Sequence, residues 1–460
     1  MKSLTDPSQA LSTGLAKIRT EFHVPDGFPA DVMAAADAAA RRVPNQHADR
    51  TDMPFVTLDP AASTDLDQAF SIESSGADLL LHYAIADVAW FVGDGDAIDR
   101  EAWARGETFY LPDGKAGLYP PVIAEGAASL LPDGPHPAVI FTVRVAQDGA
   151  ATLDGAERAI IKSRAKLAYD SVQPADVPAG FAEMARRVAA NEQARGASRV
   201  DPPEQEVERL ADGTFQLSFR PILQSEQDNA ALSLAANMAI ADAMLAHHTG
   251  LFRVMSGPDA FKVQRLRNAA QALGLSWPAS ASLRDYQRTL DPADPRQAAL
   301  MLEIRHAGQG ASYQPYKEGV VPWHEAMAAT YAHATAPLRR LADRYVVRCA
   351  LAIANGQPVP QAVTDAFAGL PKVMGRADSR AAQINHAAID LAEAVMLRDR
   401  VGETFKAAVT DIVDQGVRVQ LADMPVVATV KASGVRQGDG LTLKLVSADP
   451  DQRSIVFETA

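Results

Sequence analysis

The spacing of apolar positions changes three times along the chain, and each change marks a different kind of structure. Within residues 1–50, QALSTGLAKIRTEF and ADVMAAADAAARRV carry apolar positions at helical spacing, separated by the breaker-rich VPDGFP. Two short helices are expected there, in a segment too small to hold a substantial core of its own. From Met53 onward, PFVTLD, AFSIE and LLLHYAIADVAWFV have the β-branched and apolar density of strands. Alanine-rich amphipathic stretches follow at GFAEMARRVAANEQARG, at DNAALSLAANMAIADAMLAHH, and through most of Trp323 to Gly356 and Gly375 to Gly402. After Gly402 come FKAAVTDIV, VRVQLA, VVATVKA, LTLKLVSA and SIVFE, broken at Gly416, Pro425, Gly434 and Asp449. Five such strands predict a small barrel of the OB type. The fold class is therefore α+β in three parts: a short helical segment over 1–50, a mixed sheet-and-helix domain over 51–402, and a five-stranded OB barrel over 403–460.

Composition narrows the class without naming a chemistry. With 460 residues, 47% apolar and 22% charged, the chain has the balance of a soluble multi-domain protein. The single cysteine, Cys349, cannot form an internal disulfide, and the first residues lack an apolar leader. No uninterrupted apolar run approaches about 18 residues, so a cytoplasmic protein with no membrane partner is expected. A net charge of −13 argues against a broad basic face for duplex DNA, but leaves room for nucleic acid in a narrow, locally basic channel.

Two clusters suggest chemistry. In DPAASTDLDQAF, Asp59, Asp65 and Asp67 crowd into a loop between strands. Such carboxylates repel one another unless a cation sits among them, and Mg²⁺ takes hard oxygen ligands while leaving positions for water and phosphate. The spacing alone fits a solvated loop using Asp and Ser as turn and cap residues better than it fits a metal site. In YAHATAPLRRLADRYVVR, Pro337 is expected to open a helix whose first turn carries Arg339 and Arg340, an arrangement suited to an anion. It also fits an amphipathic helix with solvated arginines. Together the two clusters read as the halves of a phosphodiester-cleaving site.

VTLDPAASTDLDQAF resembles the acidic signature of the ribonuclease II family catalytic domain (the RNB domain), and TAPLRRLADRYVVR resembles its threonine-serine-proline-isoleucine-arginine-arginine segment. LHYAIADVAWFV, AIDREAWARGETFYLPD and KSRAKLAYD resemble further blocks of that domain in the same order, from roughly Asp52 to Gly402. The terminal barrel is similar to the S-one type of OB fold. The resemblance implies a Mg²⁺-dependent, hydrolytic 3′-to-5′ exoribonuclease acting in RNA turnover and processing. Its partner would be single-stranded RNA with a free 3′ end, its product 5′-mononucleotides, with no obligate protein partner implied.

Carried over position by position, the resemblance makes Asp59, Asp65 and Asp67 three of the family's four acids, with Asp67 the essential one. Gln68 stands at the fourth, where its amide oxygen remains a hard ligand for one or two Mg²⁺ ions, Mn²⁺ being a substitute. Arg339 matches the arginine that stabilises charge on the scissile phosphate, and Arg340 lies beside it toward the RNA. Tyr110 and Tyr169 match aromatics that pack around the 3′-terminal nucleotides. Departures are Ala336 for a serine, Leu341 for a tyrosine, Ala230 and Ala231 for a glutamate pair, and Asn385 and His386 for a glutamate-arginine pair. About 50 residues stand in place of two cold-shock domains. The competing readings are an RNA-binding protein of this fold with an impaired site, and a metal-dependent phosphodiesterase acting on another nucleic acid.

Overall fold

The strand-rich block after Met53 folds into a five-stranded sheet in the order Ala48–Asp49, Ala151–Ile161, His136–Val145, Asp78–Ala86, Gln68–Ser75. Neighbours are antiparallel except Ala48–Asp49, which runs parallel to Ala151–Ile161. The computed structural model describes all residues except 1–2, 5–8, 198–203, 211–213, 221, 288, 292–293, 309 and 414–415. Tyr83, Ala84, Ile85 and Ala86 are buried at consecutive positions, as are Ala138, Val139, Ile140 and Phe141, so both faces are covered there, which accounts for near-continuous apolar runs where a half-exposed sheet would alternate.

Helices Gln224–Ala246 and Leu341–Ala354 pack over this sheet. The first is long and apolar enough to cross a membrane by composition, yet 67% of its apolar window is buried among the sheet and neighbouring helices. It is a core helix.

Three expectations are corrected by tertiary structure. LLLHYAIADVAWFV does not stay extended: the strand ends at Ala86, and Val88–Phe91 forms a helical turn after Asp87, whose buried carboxylate is held by His47 and Arg158. Between Trp323 and Arg340 there is no α-helix, because Trp323–His324 pairs with Ala329–Thr330 and the chain then turns at Pro337. The last long helix, Gln361–Leu397, starts well before Gly375 and runs through Pro371. Proline lacks the helical N–H and crowds the preceding turn. Here the continuous buried stripe of Val363, Phe367, Leu370, Met374, Ile384 and Leu391 overrides that local penalty.

The N-terminal helices Ala10–Glu21 and Ala30–Ala40 are built into larger cores. Leu11, Leu15 and Ile18 pack with Phe109, Ile384 and Leu391, while Val32, Ala36 and Ala39 join the main core. At Gly14 a Cβ would lie 2.5 Å from the Leu391 side chain, so any larger residue there would force Leu391 to move.

At the other end, the barrel strands lie in the order Val427–Val430, Gly416–Leu421, Thr404–Val413, Gly440–Asp449, Ser454–Thr459, all antiparallel. Leu397 of the long helix enters the barrel core beside Val409, Val419 and Leu445. One turn earlier, Glu393 accepts from the Val427 N–H at 2.9 Å and from Gln205 Nε2 at 2.7 Å. The barrel is thus joined to the helix by both apolar packing and a buried carboxyl group.

Candidate active site

The acidic loop is positioned from both ends. Strand Thr57–Asp59 pairs in parallel with Lys166–Ala168, which sets Asp59 opposite Ala168 and brings Tyr169 alongside. The Tyr169 N–H donates to the Asp59 carbonyl at 3.3 Å. The chain leaves the sheet after Asp59 and returns at Gln68, the first residue of the edge strand Gln68–Ser75. In between, buried Leu66 anchors the loop: its N–H donates to Ser129 Oγ at 2.9 Å and its carbonyl accepts from the Leu130 N–H at 3.0 Å. Ser129 Oγ in turn donates to the Thr64 carbonyl at 2.8 Å. Satisfying the main chain this way lets an irregular loop lie against the core.

The arginine segment meets this loop in a geometry that differs from the expected helix start. Helix Leu341–Ala354 begins after both arginines; Arg339 lies in the turn at 337–339, and Arg340 is extended and bridged to Glu107. The turn gives its Leu338 N–H to Asp67 Oδ1 at 2.7 Å, and Arg339 Nε lies 3.4 Å from Asp67 Oδ2. Arg339 keeps 47% of its side chain exposed. Arg340, expected toward RNA, is instead held by Asp343 through Nε at 3.0 Å and Nη2 at 2.7 Å. Asp343 also accepts from the Ala336 N–H at 2.8 Å. Arg340 therefore braces the turn that presents Arg339.

Burial dominates the electrostatics. It pushes the Asp59 carboxyl up to about 7 and the Asp67 carboxyl up to about 8; Arg339 opposes the rise in both, and Asp65 adds to it. Asp59 Oδ2 is buried without a hydrogen-bond partner. Asp65 is occupied: Lys115 Nζ lies 2.6 Å from Oδ1, and the Tyr110 hydroxyl is 3.5 Å from Oδ2. Gln68 Oε1 accepts the hydroxyl of buried Tyr83 at 2.6 Å. Among the described residues, no three acidic, histidine or cysteine side chains already converge on one point. The orphaned Asp59 oxygen and the buried Asp67 carboxylate are the donors that fit a hard divalent cation, because such oxygens are unfavourable in this setting without a positive partner.

Tyr169 lies beside Asp59, its hydroxyl accepting from Asn229 Nδ2 at 2.9 Å and its carbonyl from Ser225 Oγ at 2.7 Å. Tyr110 stands 54% exposed on the hairpin Phe109–Leu111/Gly114–Ala116, directly opposite Lys115. Sequence reasoning missed Tyr83, Asn229 and Lys115. A signal existed for Lys115: the Pro112-Asp113-Gly114 turn closes a tight hairpin, which puts the side chains at 110 and 115 on one face. Tyr83 sits inside an apolar run and Asn229 closes the polar stretch QSEQDN at the start of its helix, and neither carries a local mark.

Comparison with known proteins agrees with this architecture. The RNB domain family matches residues 47–355, and the RNase II-type exonuclease C-terminal S1 domain matches residues 403–460. Ribonuclease R of Aquifex aeolicus is 24% identical over 95% of this chain and 69% of its own length. Ribonuclease R of Escherichia coli is 24% identical over 97% of this chain and 62% of its own length. Among solved structures, Mycoplasma genitalium RNase R in complex with ribose-methylated single-stranded RNA superposes with a TM-score of 0.85 at 18% identity, covering 100% of this chain and 79% of that one. Yeast Ssd1, a pseudonuclease, gives 0.66 at 15% identity, over 96% of this chain and 57% of that one. The fold is thus shared by a ribonuclease and a pseudonuclease, and the chemistry has to be argued from the side chains.

Proposed function

The chain belongs to the RNB-domain family of exoribonuclease hydrolases, and from that premise we propose that it removes 5′-mononucleotides from the free 3′ end of single-stranded RNA in a Mg²⁺-dependent reaction. The observation that carries the reading is the meeting of Asp67 with the Leu338 N–H and Arg339. A buried carboxylate, an orphaned carboxylate oxygen on Asp59 and a half-exposed guanidinium share one site. That is the charge distribution phosphodiester cleavage requires, with anions on the cation side and a cation on the phosphate side.

Asp59, Asp65 and Asp67 would hold one or two Mg²⁺ ions, with Mn²⁺ able to substitute. When bound, a divalent cation supplies a nucleophilic water at neutral pH and eases departure of the 3′ oxygen. Arg339 offers its guanidinium to the scissile phosphate, held in place by the main chain of its turn and by Arg340 behind it. Tyr110 and Tyr169 flank the acids and give bases flat partners without reading sequence. Neutral Gln68 helps fix the buried Tyr83 beside the acids. RNA as the partner is supported by the Mycoplasma RNase R complexes with single- and double-stranded RNA on the same fold.

The test uses 5′-labelled RNA, the same RNA with a 3′-terminal phosphate, and matched DNA, each incubated with purified protein in Mg²⁺ or chelator. Stepwise shortening of the free-ended RNA in Mg²⁺ alone is expected. Binding of RNA without shortening would favour the impaired-enzyme reading, and equal cleavage of DNA the wider phosphodiesterase.

A further inference from the structure

Lys115 stands beside the acids, and neither the sequence motifs nor the proposed chemistry gives it a role. Its Nζ lies 2.6 Å from Asp65 Oδ1 and 3.1 Å from Glu125 Oε1, and Thr64 Oγ1 stands 3.5 Å away. The arrangement is built: Glu125 Oε2 accepts from Thr64 Oγ1 at 3.0 Å, and Tyr110, paired across the hairpin from Lys115, reaches the other oxygen of Asp65. Lys115 and Asp65 keep only 25% and 13% of their side chains exposed. An exposed ion pair contributes little, but an ammonium between two part-buried carboxylates is screened far less by water.

Charge count at this site is unusual for one that is to hold two divalent ions. Position 68 is a neutral glutamine bonded to Tyr83, and Asp65 already carries a cation. One divalent ion together with Lys115 and Arg339 balances Asp59, Asp65, Asp67 and Glu125; a second would leave a strong positive excess before the single charge of the scissile phosphate arrives. We infer that Lys115 is a fixed counter-cation supplying the positive charge a second metal ion would otherwise bring, so that the site loads one divalent ion, on the Asp59 and Asp67 side. This inference rests on the proposed metal-dependent reaction, and it makes Lys115 a positioning residue that governs metal stoichiometry through Asp65.

The test counts ions. Full-length wild type, Lys115→Met and Lys115→Arg are titrated with Mn²⁺ in the presence of a short 2′-O-methyl RNA, and free Mn²⁺ is followed by electron paramagnetic resonance after subtracting ions taken by the RNA alone. Melting curves confirm that each variant is folded. The expected result is one ion per chain for wild type and Lys115→Arg, and for Lys115→Met either a second ion or a fall of about tenfold in the half-saturating Mn²⁺ concentration, since a like charge has been removed. Two ions in the wild type, or an unchanged isotherm in Lys115→Met, would overturn the inference while leaving the metal-dependent reaction standing. No specific Mn²⁺ binding in any of the three would overturn both.

Discussion

The backbone N–H of Leu338 donates to Oδ1 of Asp67 at 2.7 Å, joining two segments 271 residues apart. Because the link is made by main chain, the place of Arg339 relative to the acidic loop does not depend on its own long side chain. That frees the guanidinium, 3.4 Å from Asp67 Oδ2 and half exposed, to turn toward a phosphate. The assembly is expensive in charge, and its cost should be measurable in the metal-free protein.

The carboxyls of Asp59 and Asp67 are raised from 3.8 to about 7 and about 8, and burial likewise lifts Glu107 and Glu393 to about 7. A carboxyl raised on folding binds more protons folded than unfolded, so it contributes stability at low pH that is lost as pH rises through the folded value. The buried histidines His324 and His333 are lowered from 6.5 by burial, so above that pH they are neutral in both states. Between pH 6.5 and about 8.5 the melting temperature of the metal-free protein should therefore fall as pH rises, and added Mg²⁺ should flatten the slope. A melting temperature that rose across this window in chelator would count against buried, unbalanced acids.

Gln68 offers a separable test of packing and charge. Gln68→Leu removes the acceptor of the buried Tyr83 hydroxyl and should destabilise the protein by about 1–3 kcal/mol. Adding Tyr83→Phe removes the stranded hydroxyl and should restore most of that loss in denaturant unfolding. Equal stabilities of the single and double variants would show that the 2.6 Å bond is not the source. Gln68→Asp, which adds a charge beside Asp67, should lower the Mg²⁺ concentration needed for half-maximal RNA cleavage.

Much of this was legible in the chain because it is local. The five barrel strands, the two N-terminal helices and the acidic loop follow from spacing and breakers, and the barrel breaks at Pro425 and Gly434 fall between observed strands. What was not legible depends on contacts distant in sequence. The helix through Pro371 is held by a stripe that only tertiary packing rewards, and Arg340 reads as an RNA contact until Asp343 is seen to hold it. The alanines before Pro337 suggest a helix, yet Ala329 and Thr330 pair with Trp323 and His324 as strands.

The two tyrosines separate stacking from structure. Tyr110→Ala should weaken RNA binding by about 1–3 kcal/mol, equally for oligo(A) and oligo(U), whereas Tyr110→Phe should change it little. Tyr169→Phe keeps the ring but leaves the Asn229 amide with the Leu58 carbonyl alone as acceptor, so it should lose stability while retaining most RNA affinity. Equilibrium binding and thermal unfolding on the same preparations decide both, and a strong base preference in the loss at Tyr110 would argue against stacking.

The most direct measurement is single-turnover RNA cleavage by wild type and Asp67→Asn, with RNA affinity measured on the same samples. Asparagine keeps the shape and can still accept from the Leu338 N–H, but removes the charge facing Arg339 and any bound cation. Wild type is predicted to release 5′-mononucleotides in Mg²⁺, and the variant to bind RNA with similar affinity while cleaving at least about a thousandfold more slowly. Equal rates in the two proteins, or tight RNA binding with no nucleotide release by the wild type, would contradict the assignment of this site.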